Sequence, residues 1–371
     1  MQELLMGLTG LTPQQVIMFV IGGILIYLAI AKDYEPLLLL PMGFGAILTN
    51  IPFSSAVGEE GFLTILLHAG IITELFPILI FIAVGAMCDF TPLLRNPLMM
   101  IFGAAAQFGI FATIVLAALL GFDLKEAASI GIIGAADGPT TIYVATKFAQ
   151  ELLGPLSVAA YSYMSLVPII QPPVIKLLTS KKERMIRMPY REGKPVSKIV
   201  RILFPIVVTI VAGIIAPISV ALIGSLMFGN LLREAGVVER LAKAAENELA
   251  NLVTLLLGIT IGSTMEASAF LNVKTLMVMG LGLVAFIFDT AGGVLLAKLL
   301  NLFLKEKINP AIGACGISAF PMSARVISKL LLKDDPNNFV IMHAIGANTS
   351  GQIGSIIAGG LVLALVPALL G

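Results

Sequence analysis

The chain has 371 residues, of which 58% are hydrophobic and 12% are charged, and its mean hydropathy is +1.01. Soluble domains carry roughly 25% charged residues, so this composition predicts a protein embedded in a bilayer. A net charge of +1 gives no indication of a nucleic-acid partner. The sequence contains neither a GxxxxGK phosphate loop nor a Gly-x-Ser-x-Gly elbow, which excludes an ATPase acting by itself.

Apolar segments follow one another closely along the chain. They cover roughly 16–31, 36–50, 62–88, 97–121, 126–149, 155–179, 199–218, 219–232, 251–271, 273–303, 309–332 and 337–369. Several are shorter than the ~20 residues of a spanning helix, or are interrupted by Gly and Pro. We predict an all-α polytopic membrane protein with about nine to eleven spans. The segment 16–31 should remain a membrane helix, because the basic residue that a signal peptide carries ahead of its apolar run is missing.

The segment 126–149 is broken in its middle by Asp137-Gly138-Pro139. Pro139 lacks a backbone donor and pushes the residue before it out of the α region, so a helix cannot run smoothly through this triplet. Non-helical backbone at membrane depth survives only where it is buried in protein or lines a watery cavity. An intramembrane carboxylate is rarely explained by packing alone. The pattern predicts a re-entrant hairpin with an ion site at Asp137.

A polar loop at 180–198 divides the chain near its middle. With its flank it holds eight of the 23 basic residues, Lys181, Lys182, Arg184, Arg187, Arg191, Lys194, Lys198 and Arg201. This density predicts a cytoplasmic loop. We therefore expect a first half at 1–180, a basic linker at 181–198 and a second half at 199–371. A further polar stretch at 233–251 indicates a connecting helix.

The second half repeats the broken segment. A shift of 182 residues, from Pro139 to Pro321, superposes Gly131–Lys147 on Gly313–Lys329. Under this shift, identical or similar residues coincide at Gly131/Gly313, Gly134/Gly316, Thr141/Ser323, Val144/Val326, Thr146/Ser328 and Lys147/Lys329. Paired segments of this kind mark the substrate site of transporters built from inverted repeats. We predict two such repeats, with a second hairpin at 309–332.

The two copies differ at their charged positions. Asp137 corresponds to Ala319, whereas Arg325 corresponds to Tyr143. A lone carboxylate among neutral oxygens suits a hard cation or a proton, while a buried guanidinium suits a carboxylate. The difference predicts that Asp137 and Arg325 face each other inside the membrane.

Neutral polar residues accompany both hairpins. Asn348, Gln352 and Ser355 recur on one face of the last helix, and Tyr161 and Ser165 pair after the first hairpin. Such residues either supply oxygen ligands to Na⁺ or join membrane helices by hydrogen bonds. Glu74, Glu266 and Asp289 are either secondary polar sites or helix ends, and the sequence leaves their roles open.

Three motifs, GIIGAADGPTTIYVATKFA, NPAIGACGISAFPMSARV and HAIGANTSGQIGS, resemble the β subunit of the sodium-translocating biotin-dependent decarboxylases. The resemblance implies a subunit that decarboxylates carboxybiotin, consumes a proton and exports Na⁺ across a bacterial inner membrane. It implies a biotin carrier domain, a carboxyltransferase subunit and a small membrane subunit as partners, and a homo-oligomer within the complex.

Functional positions of that family fall on eight residues of this sequence. Those implied to act in catalysis are Asp137, Tyr163, Ser318 and Arg325, and those implied to bind the cation are Asp137, Asn309, Gly313, Ser318, Asn348 and Ser355. Na⁺ itself is expected at Asp137, Asn309 and Asn348, and carboxybiotin at Arg325 and Asn348. Two other functions stay open: a Na⁺/carboxylate symporter that performs no chemistry, and a structural membrane anchor for soluble subunits.

Overall fold

The computed structural model describes residues 7, 9–189, 195–215, 217–319 and 321–370, and these residues form helices and connecting segments without a strand. The basic residues Arg191 and Lys194 of the polar loop lie outside the described residues. The main helices are α1 Pro13–Lys32, α2 Pro36–Asn50, α3 Phe62–Ile72, α4 Leu75–Met87, α5 Pro97–Leu119, α6 Leu124–Gly131, α7 Gly138–Phe148, α8 Leu153–Ser165, α9 Val167–Leu178, α10 Lys198–Ile215, α11 Pro217–Ala235, α12 Glu239–Ser263, α13 Val273–Phe303, α14 Met322–Asp334 and α15 Ile341–Leu370.

The helices confirm a polytopic membrane protein. Within the described ranges seven of them are long and apolar enough to cross a bilayer, namely α1, α5, α10, α11, α12, α13 and α15. The number rises to nine when α3 with α4, bent by 61°, and α8 with α9, bent by 68°, are each counted as one broken span. Nine is the lower end of the predicted number. The helix α2 is apolar but has only 15 residues.

The polar stretch 233–251 is not a single connecting helix, so this prediction is wrong. Gly236 terminates α11. Its φ of +72° lies in the left-handed region, which glycine commonly adopts just after the last turn of a helix. The rest of the stretch begins α12. Arg201, which flanks the basic loop, forms an ion pair of 3.0 Å with Glu234 at the end of α11.

Helix α13 lies between the two broken segments. Its 31 residues extend over about 46 Å. At one end Lys274 pairs with Glu126, at the start of α6. At the other end Lys298 donates to the carbonyl of Leu178 at 2.9 Å, directly before the basic loop.

A glycine pair lets α13 contact the second broken segment along the backbone. A Cβ atom added to Gly293 would lie only 2.0 Å from the carbonyl oxygen of Gly313. Gly313 belongs to the 3₁₀ segment Pro310–Gly316. A side chain at either position would therefore force the helix and the segment apart.

Candidate functional site

Asp137 lies at the break of the first broken segment. The 3₁₀ segment Ile132–Ala135 leads into Ala136, whose φ of +52° ends the helical path. Asp137 then caps α7, because its Oδ1 accepts the N–H of Thr140 at 3.2 Å. Pro139 fits the first turn of α7, where a helix does not use the missing backbone donor. The triplet that breaks the segment thus also starts the next helix and fixes the carboxylate at the junction.

The second broken segment crosses the first at this point. The backbone N–H of Ser318 donates to the carbonyl of Ala135 at 2.9 Å, and the Ser318 hydroxyl donates to Asp137 Oδ2 at 3.1 Å. From α15, the Ser355 hydroxyl donates to the same oxygen at 2.6 Å. Two hydroxyls from the second half of the chain therefore hold one carboxylate from the first half.

Helix α15 also supports the second break. Asn348 Nδ2 donates to the carbonyl of Ile317 at 2.7 Å, and the amide of Gln352 donates to the carbonyl of Ser318. Asn348 is fully buried, and its Oδ1 has no hydrogen-bond partner among the described residues. The polar face predicted for this helix therefore points at the crossing of the two breaks.

A cavity of about 280 Å³ opens onto Asp137. The buried residues that line it include Tyr161, Ser318 and Gln352, and the more exposed ones include Glu35, ahead of α2, and Glu246, in α12. Among the residues that the structure describes, the charged groups that line the cavity are all carboxylates. The cavity is therefore electrostatically suited to a cation and unfavourable for an anion.

Asn309 does not lie at this cavity. Its Oδ1 accepts the N–H of Ala311 at 3.2 Å, which caps the 3₁₀ segment. Its Nδ2 donates to the carbonyls of Arg184 at 2.7 Å and Ile186 at 2.9 Å. Asn309 thus holds the basic loop against the second broken segment. The expected Na⁺ set of Asp137, Asn309 and Asn348 is not assembled at one point in this structure.

Arg325 is exposed, so the prediction of a buried guanidinium facing Asp137 is wrong. In α14 the side chains of Ser323, Ala324 and Ile327 are buried, whereas Arg325 and Lys329, four residues apart, are exposed. The helix is amphipathic, and burying an unpaired guanidinium would be costly. Met322, one turn before Arg325, still lines the cavity.

The structure brings Tyr161, rather than Tyr163, to Asp137. The Tyr163 hydroxyl donates to the carbonyl of Met279 in α13 at 2.5 Å. Tyr161 lines the cavity and covers Gly138, where an added Cβ would lie 2.2 Å from the tyrosine ring. Ser165 lies four residues after Tyr161 and was predicted to share its helix face, but its side chain lies outside the described part of the structure.

Three side chains near the site were missed by the sequence reasoning. Glu35 directly precedes α2 and Glu246 lies in the polar stretch 233–251, where charges are ordinary, so nothing in the pattern singled them out. Gln171 is fully buried, donates to the carbonyl of Ala314 at 2.9 Å and accepts the Ser323 hydroxyl at 2.8 Å. A polar residue between prolines of an apolar segment was a usable signal for Gln171.

Glu74 and Glu266 do not line this cavity, and each has a side-chain partner elsewhere. Glu74 lies at the bend between α3 and α4 with a φ of +65°, and pairs with Lys147 at 2.5 Å. Glu266 accepts the hydroxyl of Ser268 at 2.9 Å. Both therefore behave as helix-end residues.

Comparison with known proteins identifies the family of the chain. The profile described as "Na+-transporting oxaloacetate decarboxylase beta subunit" matches residues 14–366. The chain is 50% identical to the methylmalonyl-CoA decarboxylase subunit beta of Propionigenium modestum, with 97% of this chain and 96% of that protein aligned. It is 50% identical to the glutaconyl-CoA decarboxylase subunit beta of Acidaminococcus fermentans, over 97% and 95% of the two chains. It is 45% identical to the oxaloacetate decarboxylase beta chain 2 of Salmonella typhi, over 98% of both. The resemblance noted in the sequence is thereby confirmed, and the chain belongs to the family of β subunits of the Na⁺-transporting decarboxylases.

Proposed function

We propose that Na⁺ binds at Asp137 and crosses the membrane while carboxybiotin, carried by a partner subunit, loses CO2. Family membership makes the chain the membrane subunit of a Na⁺-transporting decarboxylase. The assignment of residues is our proposal. One observation carries it: a carboxylate buried where two broken segments cross, held by Ser318 and Ser355 and open to a cavity.

The donor set at the crossing suits Na⁺. Hard cations prefer oxygen ligands, and one carboxylate with neutral oxygens matches a single positive charge. The hydroxyls of Ser318 and Ser355 keep lone pairs for an ion after donating to Asp137. An unpaired buried acceptor such as Asn348 Oδ1 costs about 1–3 kcal/mol, which a bound cation would offset.

We further propose that the halves 1–180 and 199–371 are inverted repeats with re-entrant hairpins. The first hairpin begins near Glu126, which pairs with Lys274 at the start of α13. The second begins near Asn309, which contacts the basic loop, and the end of α13 meets the same loop through Lys298. The two hairpins therefore start at opposite ends of one spanning helix, as inverted repeats require.

The cavity opens on the face that carries the basic loop. Met87 lines the cavity, and its carbonyl accepts Arg233 at 3.1 Å. The neighbouring Glu234 pairs with Arg201, beside the basic loop. By the positive-inside rule this face is cytoplasmic, so Na⁺ would reach Asp137 from the cytoplasm.

The exposed position of Arg325 suits a ligand delivered by another subunit. A guanidinium grips a carboxylate with two parallel hydrogen bonds, and a biotin carrier would bring one to the protein surface. In the reaction the bond between carboxylate carbon and urea nitrogen breaks, CO2 leaves, and the nitrogen keeps the electron pair and takes a proton. We assign that proton to Asp137, from which arriving Na⁺ displaces it.

The coupling has a definite energetic demand. Outward movement of one Na⁺ against the membrane potential costs about 2.3 kcal/mol per 100 mV, which decarboxylation must supply. A secondary Na⁺/carboxylate symporter would take this energy from a gradient. The relatives are named as decarboxylase subunits, which favours the pump over the symporter and over a purely structural anchor.

The decisive experiment follows decarboxylation in the purified complex. With Na⁺ present the complex should release CO2 from carboxybiotin. Avidin, which binds and blocks the biotin group, should stop both this release and Na⁺ uptake into vesicles. Na⁺ uptake that continues with avidin and follows an imposed gradient would contradict the pump and support the symporter.

A further inference from the structure

Helices α5 and α15 border two cavities that adjoin each other. The first, called here the basic cavity, has a volume of about 770 Å³ and is also lined by Arg187 of the basic loop. The second, called here the apolar groove, has a volume of about 230 Å³ and lies between the two helices. Pro92 and Met99 line the basic cavity, and the residues directly after them, Leu93 and Met100, line the apolar groove.

The basic cavity carries an excess of positive charge. Within the described part of the chain it is lined by four cationic side chains and one carboxylate, namely Arg95, Arg187, Lys305, Lys307 and Glu306. Asp335 pairs with Arg187 at 2.6 Å. Lys307 donates to the carbonyl of Leu304, at the end of α13, at 2.9 Å, and this neutral partner leaves its charge uncompensated. The cationic groups therefore outnumber the carboxylates even when Asp335 is counted.

Two helix N-termini add to this positive potential. Helix α5 begins at Pro97 and α15 at Ile341, and Leu98 and Met342 in their first turns line the basic cavity. The N-terminus of a helix carries about half a positive charge and N–H groups without an intrahelical partner. Side chains and backbone thus both favour an anion in the basic cavity.

The apolar groove faces the bilayer. Its lining is apolar except for Gln107 and Ser350, and each of these donates to a backbone carbonyl, at 2.8 Å and 2.9 Å. Met100, Phe111 and Ile357 line the groove and are exposed, as is expected of side chains that contact lipid. The groove is therefore suited to a hydrocarbon chain.

The length of the apolar groove matches one leaflet of a membrane. On α15 its lining residues recur every three or four positions from Ser350 to Leu361, so they share one face of the helix. This stretch of α15 rises about 16 Å. The hydrocarbon core of a bilayer is about 30 Å thick, so one leaflet contributes about 15 Å.

We propose that the basic cavity and the apolar groove together bind one anionic phospholipid of the cytoplasmic leaflet. Its phosphate lies in the basic cavity and one acyl chain lies in the apolar groove. Basic pockets between helices on the cytoplasmic side of a membrane are typical of sites for anionic lipid head groups. A free phosphate would leave the groove empty, and a zwitterionic lipid would add an ammonium group to the excess of positive charge. The inference uses the cytoplasmic orientation of the basic loop and no other part of the proposed function.

The test measures lipid binding to the delipidated full chain in detergent, by native mass spectrometry and by melting temperature. The probes are phosphatidylglycerol, phosphatidylcholine with the same acyl chains, and inorganic phosphate. Phosphatidylglycerol should bind and raise the melting temperature, and the other two should do neither. Equal binding of phosphatidylcholine, equal stabilisation by inorganic phosphate, or no binding of phosphatidylglycerol would overturn the inference.

Lys305→Gln removes one charge from the basic cavity. Lys305 is exposed and has neither a hydrogen bond nor an ion pair among the described residues, so the variant should fold like the wild type. The Kd for phosphatidylglycerol should rise about fivefold, which corresponds to the ~1 kcal/mol of a basic side chain near an anionic lipid. Lys182→Gln is the matched control, because Lys182 is an exposed cation of the basic loop that does not line the cavity. Equal shifts of the Kd in both variants would indicate general charge attraction and overturn the inference.

Ala104→Phe tests the acyl chain. Ala104 is exposed and lines the apolar groove, so a phenyl ring there should fill the groove and weaken phosphatidylglycerol binding. Ala118→Phe, at an exposed position near the other end of α5, should have no effect. Unchanged binding in Ala104→Phe would overturn the inference, and the two lysine variants decide if Ala104→Phe fails to fold. Native mass spectrometry of the intact complex should also detect anionic lipid; its absence there would mean that another protein segment covers the groove, and would overturn the inference as well.

Discussion

Replacing Ser355 by alanine removes the shorter of the two hydroxyl bonds to Asp137. The hydroxyl donates to Oδ2 at 2.6 Å, compared with 3.1 Å for Ser318. A hydrogen bond to a charged group contributes about 1.5–3 kcal/mol. Loss of this hydrogen bond favours the protonated form of Asp137 over the charged form, and it also removes one oxygen ligand of Na⁺. Na⁺ should therefore displace the proton from Asp137 less readily. Since 1.4 kcal/mol corresponds to tenfold, the Na⁺ concentration for half-maximal decarboxylation should rise about tenfold to a hundredfold.

A matched control lies on the same helix. Ser350 is also buried in α15, but its hydroxyl donates to the carbonyls of Met99 at 2.9 Å and Ala347 at 2.7 Å. Ser350→Ala should leave the Na⁺ dependence unchanged. The assay measures the initial rate of CO2 release by the complex over a Na⁺ titration. Equal shifts in Ser355→Ala and Ser350→Ala, or no shift in either, would refute the reasoning.

Three further variants test other parts of the account. Gly293→Ala should lower the free energy of unfolding by about 1–3 kcal/mol, because its Cβ would meet the Gly313 carbonyl, and thermal unfolding in detergent measures this. Arg325→Gln should raise the KM for free carboxybiotin while Na⁺ binding stays the same, because the residue is exposed and away from Asp137. The hydrogen bond from Arg187 lowers the pKa of Asp335, so this contact should stabilise the protein above the ordinary aspartate pKa and be lost as pH falls through the lowered value. Melting temperatures across acidic pH should therefore fall in the wild type and stay flatter in Asp335→Asn.

Each of these has a control or a contradicting result. Gly280 has open space where its Cβ would be, so Gly280→Ala in the same helix should not destabilise the protein. Lys329→Gln, one turn after Arg325, should leave the KM for carboxybiotin unchanged. For the Arg187 contact, identical pH profiles of the wild type and Asp335→Asn would contradict the assignment.

The sequence predicts the crossing of the two breaks well. The shift of 182 residues brings the Asp137 and Ser318 segments into equivalence, and the polar face of the last helix supplies Ser355 and Asn348. All four are buried, and hydrogen bonds join Asp137, Ser318 and Ser355. Periodicity and proline placement are local properties, which is why they transfer directly to the fold.

The failures arise where a local pattern has two physical outcomes. The prediction that Arg325 is buried rested on its alignment with Tyr143 in the repeat, but the amphipathic character of α14 determines that Arg325 is exposed. Asn309 shows the same ambiguity, because a cation ligand and a cap both use the amide oxygen; in this structure that oxygen caps the 3₁₀ segment, and its role as a cation ligand stays a prediction. Glu35 and Glu246 reach the cavity only through tertiary packing, which single-sequence periodicity does not encode.

The most direct test of the central claim is ²²Na⁺ uptake into inverted vesicles by complexes that carry Asp137→Asn. Asp123→Asn is the matched control, because Asp123 is an exposed helix cap and asparagine caps equally well. The account predicts that decarboxylation-driven uptake is abolished in Asp137→Asn and unchanged in Asp123→Asn. Uptake at the wild-type rate by Asp137→Asn would contradict it.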